Sequence, residues 1–384
     1  MRTIATTEDL AAYCALAKSQ PYVTLDTEFL RERTYWSKLC LIQMALPGAG
    51  EAVLIDPIAG PEMSLEPLYD LFRHETTVKV FHAARQDLEI FFVEGGVFPK
   101  PLFDTQIAAM VCGFGEQVGY ETLVKKIAKA DLDKTSRFTD WSRRPLSDAQ
   151  KEYALADVTH LRVIYEWLAA QLKKNGRAEW VAEELAILTD PATYTIHPDD
   201  AWQRIKTRTT SGRFLAVVKA LARFREAYAQ GQNVPRSRVM KDDALLELAS
   251  TRPTTAEELG RSRLLMREGR KPEIAEGILA AVKEGLEMKP EDMPRVEASR
   301  EQMQVNPALA DLLRVLLKAK SESLGVAPRL IASSADLDLI AAGERNVPAL
   351  SGWRREAFGD DALRLCKGEI ALSAKGNEVR VVRL

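Results

Sequence analysis

The chain is poor in cysteine, and the four it has are scattered: Cys14, Cys40, Cys112 and Cys366 form no C-x-x-C pair. That spacing excludes a disulfide framework and a zinc knuckle, so each thiol reads as a small core residue. No apolar run approaches the ~20 residues of a transmembrane helix, and the start, Met1-Arg-Thr-Ile-Ala-Thr-Thr-Glu-Asp9, has no signal-peptide core. These absences predict a cytoplasmic protein with no membrane partner, and nothing in the sequence calls for an obligatory protein partner. Strong net charge is also missing, since 53 Lys and Arg against 55 Asp and Glu leave −2. The total would argue against nucleic acid, but it is a sum over the whole chain and hides local asymmetry. What is present is 384 residues, 46% hydrophobic and 28% charged, the composition of a soluble globular protein of two or three domains.

The chain is organised around Tyr22-Val-Thr-Leu-Asp-Thr-Glu-Phe29. In a strand, Val23, Leu25, Thr27 and Phe29 share one face and Thr24, Asp26 and Glu28 the other. Two carboxylates then point the same way, roughly 7 Å apart along the strand, and on an apolar strand such a pair asks for a cation, most simply a divalent metal. D-x-E also occurs at Asp87-Leu-Glu89 in a helical pattern, so the tripeptide needs further acids to carry weight.

A helix is expected over 6–18, capped by Thr6 or Thr7, with Leu10, Tyr13, Cys14 and Leu16 to Ala17 inward. Strands follow at 22–29, 38–46 and 51–56, the last two split by Pro47-Gly-Ala-Gly50, which makes an antiparallel meander. Helix 65–72, strand 78–82, helix 85–93, the short strand 102–104 and helices near 104–112, 120–129 and 147–172 then add parallel strands, giving a mixed sheet with helices on both faces. Asp87 falls in the first turns of its helix. Tyr153 and Asp157 are an i, i+4 pair on one helical face. Asp104 reads as an N-cap and Asp56, before Pro57, as a turn residue. His82 reads as a strand-end histidine bonded to backbone.

Asp26-Thr-Glu28, Phe81-His-Ala-Ala-Arg-Gln-Asp87 and Tyr153-Ala-Leu-Ala-Asp157 resemble the three exonuclease motifs of the DEDD superfamily in its tyrosine-bearing variant. The position of the histidine in the other variant, five before the last Asp, is Glu152 here. The flanks Leu41-Ile-Gln43, Phe103-Asp-Thr-Gln106 and Asp140-Trp-Ser-Arg-Arg-Pro-Leu146 are similar to those of the bacterial ribonuclease D family. The resemblance implies a ribonuclease-H-like α/β exonuclease domain over 1–190. It implies that Asp26, Glu28, Asp87 and Asp157 hold two divalent ions, Mg²⁺ or Mn²⁺, and that Tyr153 positions the attacking water. The implied reaction is 3′ to 5′ trimming of structured RNA with 3′ extensions, such as tRNA precursors. A proofreading-type DNA exonuclease and a catalytically silent RNA-binding scaffold are the alternatives.

Beyond the Pro-bearing stretch 186–203 the chain turns helical, and Val239–Ala249 parallels Ile331–Ala341 without a gap, each after a Pro-Arg pair. The two copies look like all-α HRDC domains, at 200–288 and 304–375. Candidate RNA contacts are Phe29, Tyr35 and Trp36 for stacking, His82, and Arg143 and Arg144, which with Lys134, Arg137, Phe138 and Trp141 interleave basic and aromatic residues. Residues 204–238 hold nine basic side chains against the single acid Glu226. Lys206, Arg208, Lys219 and Arg223 are the expected grip on the body of the RNA, and Arg225 is expected to be solvated helix surface.

Overall fold

The computed structural model describes residues 1–60, 62–133, 139–207, 209, 211–294 and 305–384. The chain folds as two compact units, one of residues 1–28, 40–190 and 302–384, the other of 29–39 and 191–301.

The first unit is built on a six-stranded sheet. β1 (Arg2–Ile4) leads into α1 (Thr7–Lys18), whose N-cap Thr6 accepts from the Asp9 N–H. Leu10, Tyr13, Cys14 and Ala17 form its buried stripe, as the pattern predicts, but Leu16 faces outward at 55% exposure. β2 (Tyr22–Leu30), β3 (Lys38–Ala45) and β4 (Ala52–Ile55) follow, then α2 (Glu66–Arg73), β5 (Val78–Phe81), α3 (Arg85–Gly95) and β6 (Leu102–Asp104). The sheet order is β1-β4-β3-β2-β5-β6. β3 and β4 are antiparallel, while β1–β4, β2–β5 and β5–β6 are parallel, so the sheet is mixed. Its edge strand β1 is too short to show a period and escapes the sequence pattern. Gly96, in the left-handed region at φ +61°, closes α3, a conformation that costs glycine least.

Helices α4 (Thr105–Val111), α5 (Tyr120–Leu123, continued by a π-turn to Ala128), α6 (Asp148–Asn175) and α7 (Ala178–Leu188) cover the sheet. Ser147 and Gln150 make a reciprocal capping box at the start of α6, which orders the 28-residue helix that carries Tyr153 and Asp157. Two side chains fasten β2 to α6: Thr24 Oγ1 donates to the Val158 carbonyl at 2.7 Å and the Tyr22 hydroxyl to Glu166 at 2.6 Å.

The second unit holds α8 (Gly212–Gly231), α9 (Arg236–Val239), α10 (Asp242–Thr251), α11 (Ala256–Gly260) and α12 (Pro272–Glu287) around Val217, Leu221, Leu245, Leu248, Ile278 and Val282.

The C-terminal stretch, expected as a separate module, instead belongs to the first unit. It comprises α13 (Pro307–Leu324), α14 (Pro328–Ile331), α15 (Ser334–Ala341), α16 (Gly352–Arg354) and α17 (Asp360–Cys366). Its Leu313, Leu316, Ile331 and Phe358 share one core with Ala108, Val111, Ile164 and Leu168. Trp180 stacks on Trp353 at 4.5 Å, and the Ala327 N–H bonds the Met110 carbonyl at 3.0 Å. The chain then runs through an antiparallel hairpin, β7 (Ile370–Lys375) and β8 (Glu378–Arg383), which the all-helical expectation for this stretch does not contain. Its strands are short and lie against no larger sheet, so they leave little trace in the pattern.

Candidate active site

Asp26 and Glu28 sit two residues apart on β2, Asp87 in the first turn of α3, and Asp157 one turn beyond Tyr153 on α6. A central strand, a following helix and a long crossing helix thus deliver four acids from three places in the chain. Asp87 is 5% exposed, and the Thr27 hydroxyl donates to its Oδ1. Burial and then the Asp157 carboxylate hold Asp26 well above the usual carboxylate range. Burial, with Asp26, Asp157 and Asp87 behind it, pushes Glu28 up to about 9. Asp87 is raised by burial and by Asp26. Among the described residues no Lys or Arg contributes to any of these three shifts, which come from burial and from the other acids.

A cavity of about 280 Å³ opens at the cluster, and Asp26, His82, Tyr120, Tyr153 and Asp157 are among the residues lining it. Glu28 and Asp87 are not in the lining and join the group through their charges. Among the described residues no three His, Cys, Asp or Glu groups are drawn into a closed metal cage. The donor set still fits a hard divalent cation: the groups are carboxylate oxygens, they repel one another, and only a cation in their midst would satisfy them.

His82 ends its strand as predicted, but its Nδ1 meets the Thr105 hydroxyl at 3.0 Å as well as backbone, and burial keeps the imidazole below its ordinary pKa and hence neutral. Asp104 is the expected N-cap, accepting from the Gln106 N–H at 2.7 Å, and it also accepts the Ala83 and Ala84 N–H groups that start the second motif.

Tyr120 has no counterpart in the sequence reading. Its hydroxyl donates to the Asp157 carbonyl at 2.6 Å and its ring lies 5.4 Å from that of His82. Only its place in a short helix was legible, because its partners are 36 and 37 residues downstream. Trp141, 2% exposed, lies 6.1 Å from the Tyr153 ring.

Several candidate RNA contacts are otherwise engaged. Arg144 donates to Asp56 from Nε at 2.5 Å and Nη2 at 2.7 Å and to the Cys40 carbonyl at 2.8 Å; it is a structural arginine, and Asp56 is its partner as well as the turn residue expected. Arg143, with an 84% exposed side chain, bonds Asp140.

Within the helical unit, the Tyr35 hydroxyl donates to Glu226, and Trp36 packs edge-on to the Tyr35 ring at 4.5 Å. Tyr35 is therefore not a base-stacking platform. Phe29 is half-buried. Arg223 pairs with Glu284 and Asp199, Arg225 with Asp242 at 2.6 Å, and Arg236 with Glu226, while Arg213 caps the end of α12 through the Leu286 and Met288 carbonyls. Arg225 is 6% exposed and not the solvated residue expected. Acids outside the window thus answer Arg223 and Arg225, and Glu226 inside it answers Arg236. Lys206 is exposed and Lys219 half-buried, and neither has an ion pair among the described residues. Arg208, like Lys134, Arg137 and Phe138, lies outside the described residues.

A family model described as 3′-5′ exonuclease matches residues 1–173, and an HRDC domain model matches 214–282. A ribonuclease D from Jannaschia sp. is 64% identical over 384 residues, covering 100% of this chain and 99% of that protein. The chain belongs to the ribonuclease D family. A second ribonuclease D, from Granulibacter bethesdensis, is 49% identical over 99% of this chain and 96% of its own length. The crystal structure of Escherichia coli RNase D, described as an exoribonuclease involved in structured RNA processing, superposes with a TM-score of 0.84 at 28% identity over 96% of this chain and 98% of that one. As a ribonuclease D the chain is a nuclease, with the mixed-sheet exonuclease fold followed by an HRDC domain and a further helical stretch, and its exonuclease family depends on divalent metal. No helix of the described residues is long and apolar enough to cross a membrane.

Proposed function

We propose that this chain is a 3′ to 5′ exoribonuclease that trims structured RNA with 3′ extensions, such as tRNA precursors, and releases nucleoside 5′-monophosphates. The observation that carries the reading is the buried anionic cluster of Asp26, Glu28, Asp87 and Asp157 beside a cavity that also takes in Tyr153. The four carboxylates would hold two Mg²⁺ or Mn²⁺ ions, which when bound supply charge neutralisation on the phosphate and a more acidic water. Asp26, whose charge acts on both Glu28 and Asp87, would be the residue most central to holding them. The Tyr153 hydroxyl, one helical turn before Asp157, orients the attacking water. A free tyrosine has a pKa near 10, which favours positioning over proton abstraction. The His82 imidazole and the Tyr120 ring also line the cavity, where they would hold a terminal nucleoside by hydrogen bonding and apolar contact. A silent scaffold would be expected to have lost a ligand, and all four acids and the tyrosine remain.

The test is incubation of a 3′-extended RNA and the matching DNA with Mg²⁺ or Mn²⁺, with and without EDTA. Metal-dependent shortening of the RNA from its 3′ end is expected. Preferential shortening of the DNA would install the proofreading alternative, and no shortening of either would install the scaffold.

A further inference from the structure

The strand that carries Asp26 and Glu28 is supported unevenly. β5 accompanies β2 along Tyr22–Thr24, and past that point β3 is the sheet neighbour left to it. Asp26 and Glu28 therefore lie past the last residue that β5 pairs, on a ribbon with β3 beside it in the sheet order and the Thr27–Asp87 bond between them. Its far end is the connection 31–37, which from Phe29 onward belongs to the helical unit.

That connection is held in a socket of helical-unit side chains. Asn233 Oδ1 accepts the backbone N–H groups of Tyr35 and Trp36, at 3.1 and 3.0 Å. Asn233 itself sits at φ +49°, a left-handed conformation that Asn adopts more readily than most residues. The Tyr35 hydroxyl donates to Glu226 and accepts from Arg236 Nη2 at 2.6 Å and Gln230 Nε2 at 3.2 Å. Arg236 also lies over the Tyr35 ring, 4.5 Å from its centroid, and pairs with the Glu226 carboxylate, whose side chain is 2% exposed. The hydroxyls on either side, Thr34 and Ser37, are buried with no hydrogen-bond partner among the described residues. Among the described residues, Thr34 and Ser37 thus add no hydrogen bond to the hold that the socket has on Tyr35 and Trp36.

We infer that Tyr35, Asn233, Glu226 and Arg236 are positioning residues for hydrolysis: by clamping the β2–β3 turn they set the end of β2, and with it the Glu28 carboxylate. The inference rests on the exonuclease reading of the carboxylate site. It gives the helical unit a duty in the chemical step that is separate from any grip on RNA, and that duty extends to substrates too short to need such a grip. A ligand or reacting group misplaced by about 1 Å can cost roughly 10²-fold in rate, so a slackened ribbon is felt in kcat.

The decisive variant is Asn233→Gly in the full chain. Asn233 is exposed, and glycine keeps its left-handed backbone while deleting both hydrogen bonds to the turn. Three quantities are measured: kcat and KM for a dinucleotide, the affinity of the nucleic-acid-free protein for Mn²⁺ alone, and hydrogen exchange of amides 26–30. We expect kcat to fall about 10-fold with KM unchanged. Mn²⁺ affinity should weaken about 10-fold, the low end of what loss of a ligand-orienting partner costs, and exchange over 26–30 should accelerate. Asn233→Asp, which keeps the acceptor, should restore all three. Unchanged Mn²⁺ affinity and unchanged exchange in folded Asn233→Gly would overturn the clamp, whatever happens to structured RNA. If the unaltered protein fails to hydrolyse RNA, the exonuclease reading falls, and Mn²⁺ affinity and exchange still decide whether the ribbon is clamped.

Discussion

Two carboxylates in this chain are treated in opposite ways. Glu28, in the first unit, has burial and three other acids acting on it and is pushed up to about 9. Glu226, in the helical unit, is buried, and that burial works to raise it, yet the Arg236 guanidinium and the Tyr35 hydroxyl hold it below the usual carboxylate range. Among the described residues, one is an acid perturbed by burial and by other acids, and the other an acid answered by a cation and a hydroxyl. A buried charge costs folding free energy unless it is paired, so acids that raise one another are the place for a cation, whereas the Glu226 pair is architecture. Both carboxylates are perturbed, and it is the cleft beside Glu28 and the acids around it that mark function there, since structural ion-pair networks perturb carboxylates too.

The largest test of that contrast is Asp26→Asn. It removes a charge from the repelling cluster while keeping the shape. Nuclease activity should fall by more than about 10³-fold, the scale on which a single preorganised electrostatic group acts, while the melting temperature holds or rises. Wild-type-like turnover, or a collapse in stability, would erase the distinction between the two acids. Tyr153→Phe should come next: a loss of about 10²-fold in the single-turnover rate with Mn²⁺ affinity and RNA binding intact. An unchanged rate would reduce Tyr153 to packing against Trp141.

Glu226→Gln should do the reverse of Asp26→Asn. Breaking a buried ion pair costs roughly 3 to 5 kcal/mol, and because the Arg236 side chain is 37% exposed the loss here should be about 1 to 3 kcal/mol, read by urea unfolding. The pH dependence follows from the lowered pKa. Its stabilisation is fully present above the unfolded value of about 4.5 and is lost as pH falls through the folded value. The stability gap between wild type and Glu226→Gln should therefore narrow on acidification below about pH 4.5, and a gap constant from pH 7 to 3 would detach Glu226 from the network.

The smallest effects belong to the basic surface. Lys206→Ala and Lys219→Ala should each lower the salt slope of structured-RNA binding by about 1. Adding Arg223→Ala should change little further, since Glu284 and Asp199 already answer that arginine. A further full unit of slope from Arg223 would mean that its ion pairs open for phosphate.

The contrast also explains what could be read early. Asp26, Glu28, Asp87, Tyr153 and Asp157 were legible because each stands inside a short motif whose local structure, a strand alternation or a helical turn, determines its direction. Asp104 and Thr6 were legible as caps for the same reason. Arg144, Arg223, Arg225 and Tyr35 were misjudged because what a charged or aromatic side chain does depends on which partner reaches it. Those partners stand 88, 61, 17 and 191 residues away. Tyr120 was missed on the same ground, as its hydroxyl is committed to carbonyls of a helix the local pattern cannot see.

By itself the sequence determined the strands and helices long enough to show a period, the caps that begin α1 and α4, and the acids that define the chemistry. All of these depend on residues within a turn or two of one another. Only the tertiary structure decided that the C-terminal helices join the exonuclease core instead of standing apart, that Arg223, Arg225 and Arg236 of the basic window are paired with acids, and that the turn after Glu28 is built into the helical unit. Each of those outcomes is a pairing between distant segments, set by which apolar surfaces and opposite charges meet when the chain closes, and no local pattern of residues encodes that choice.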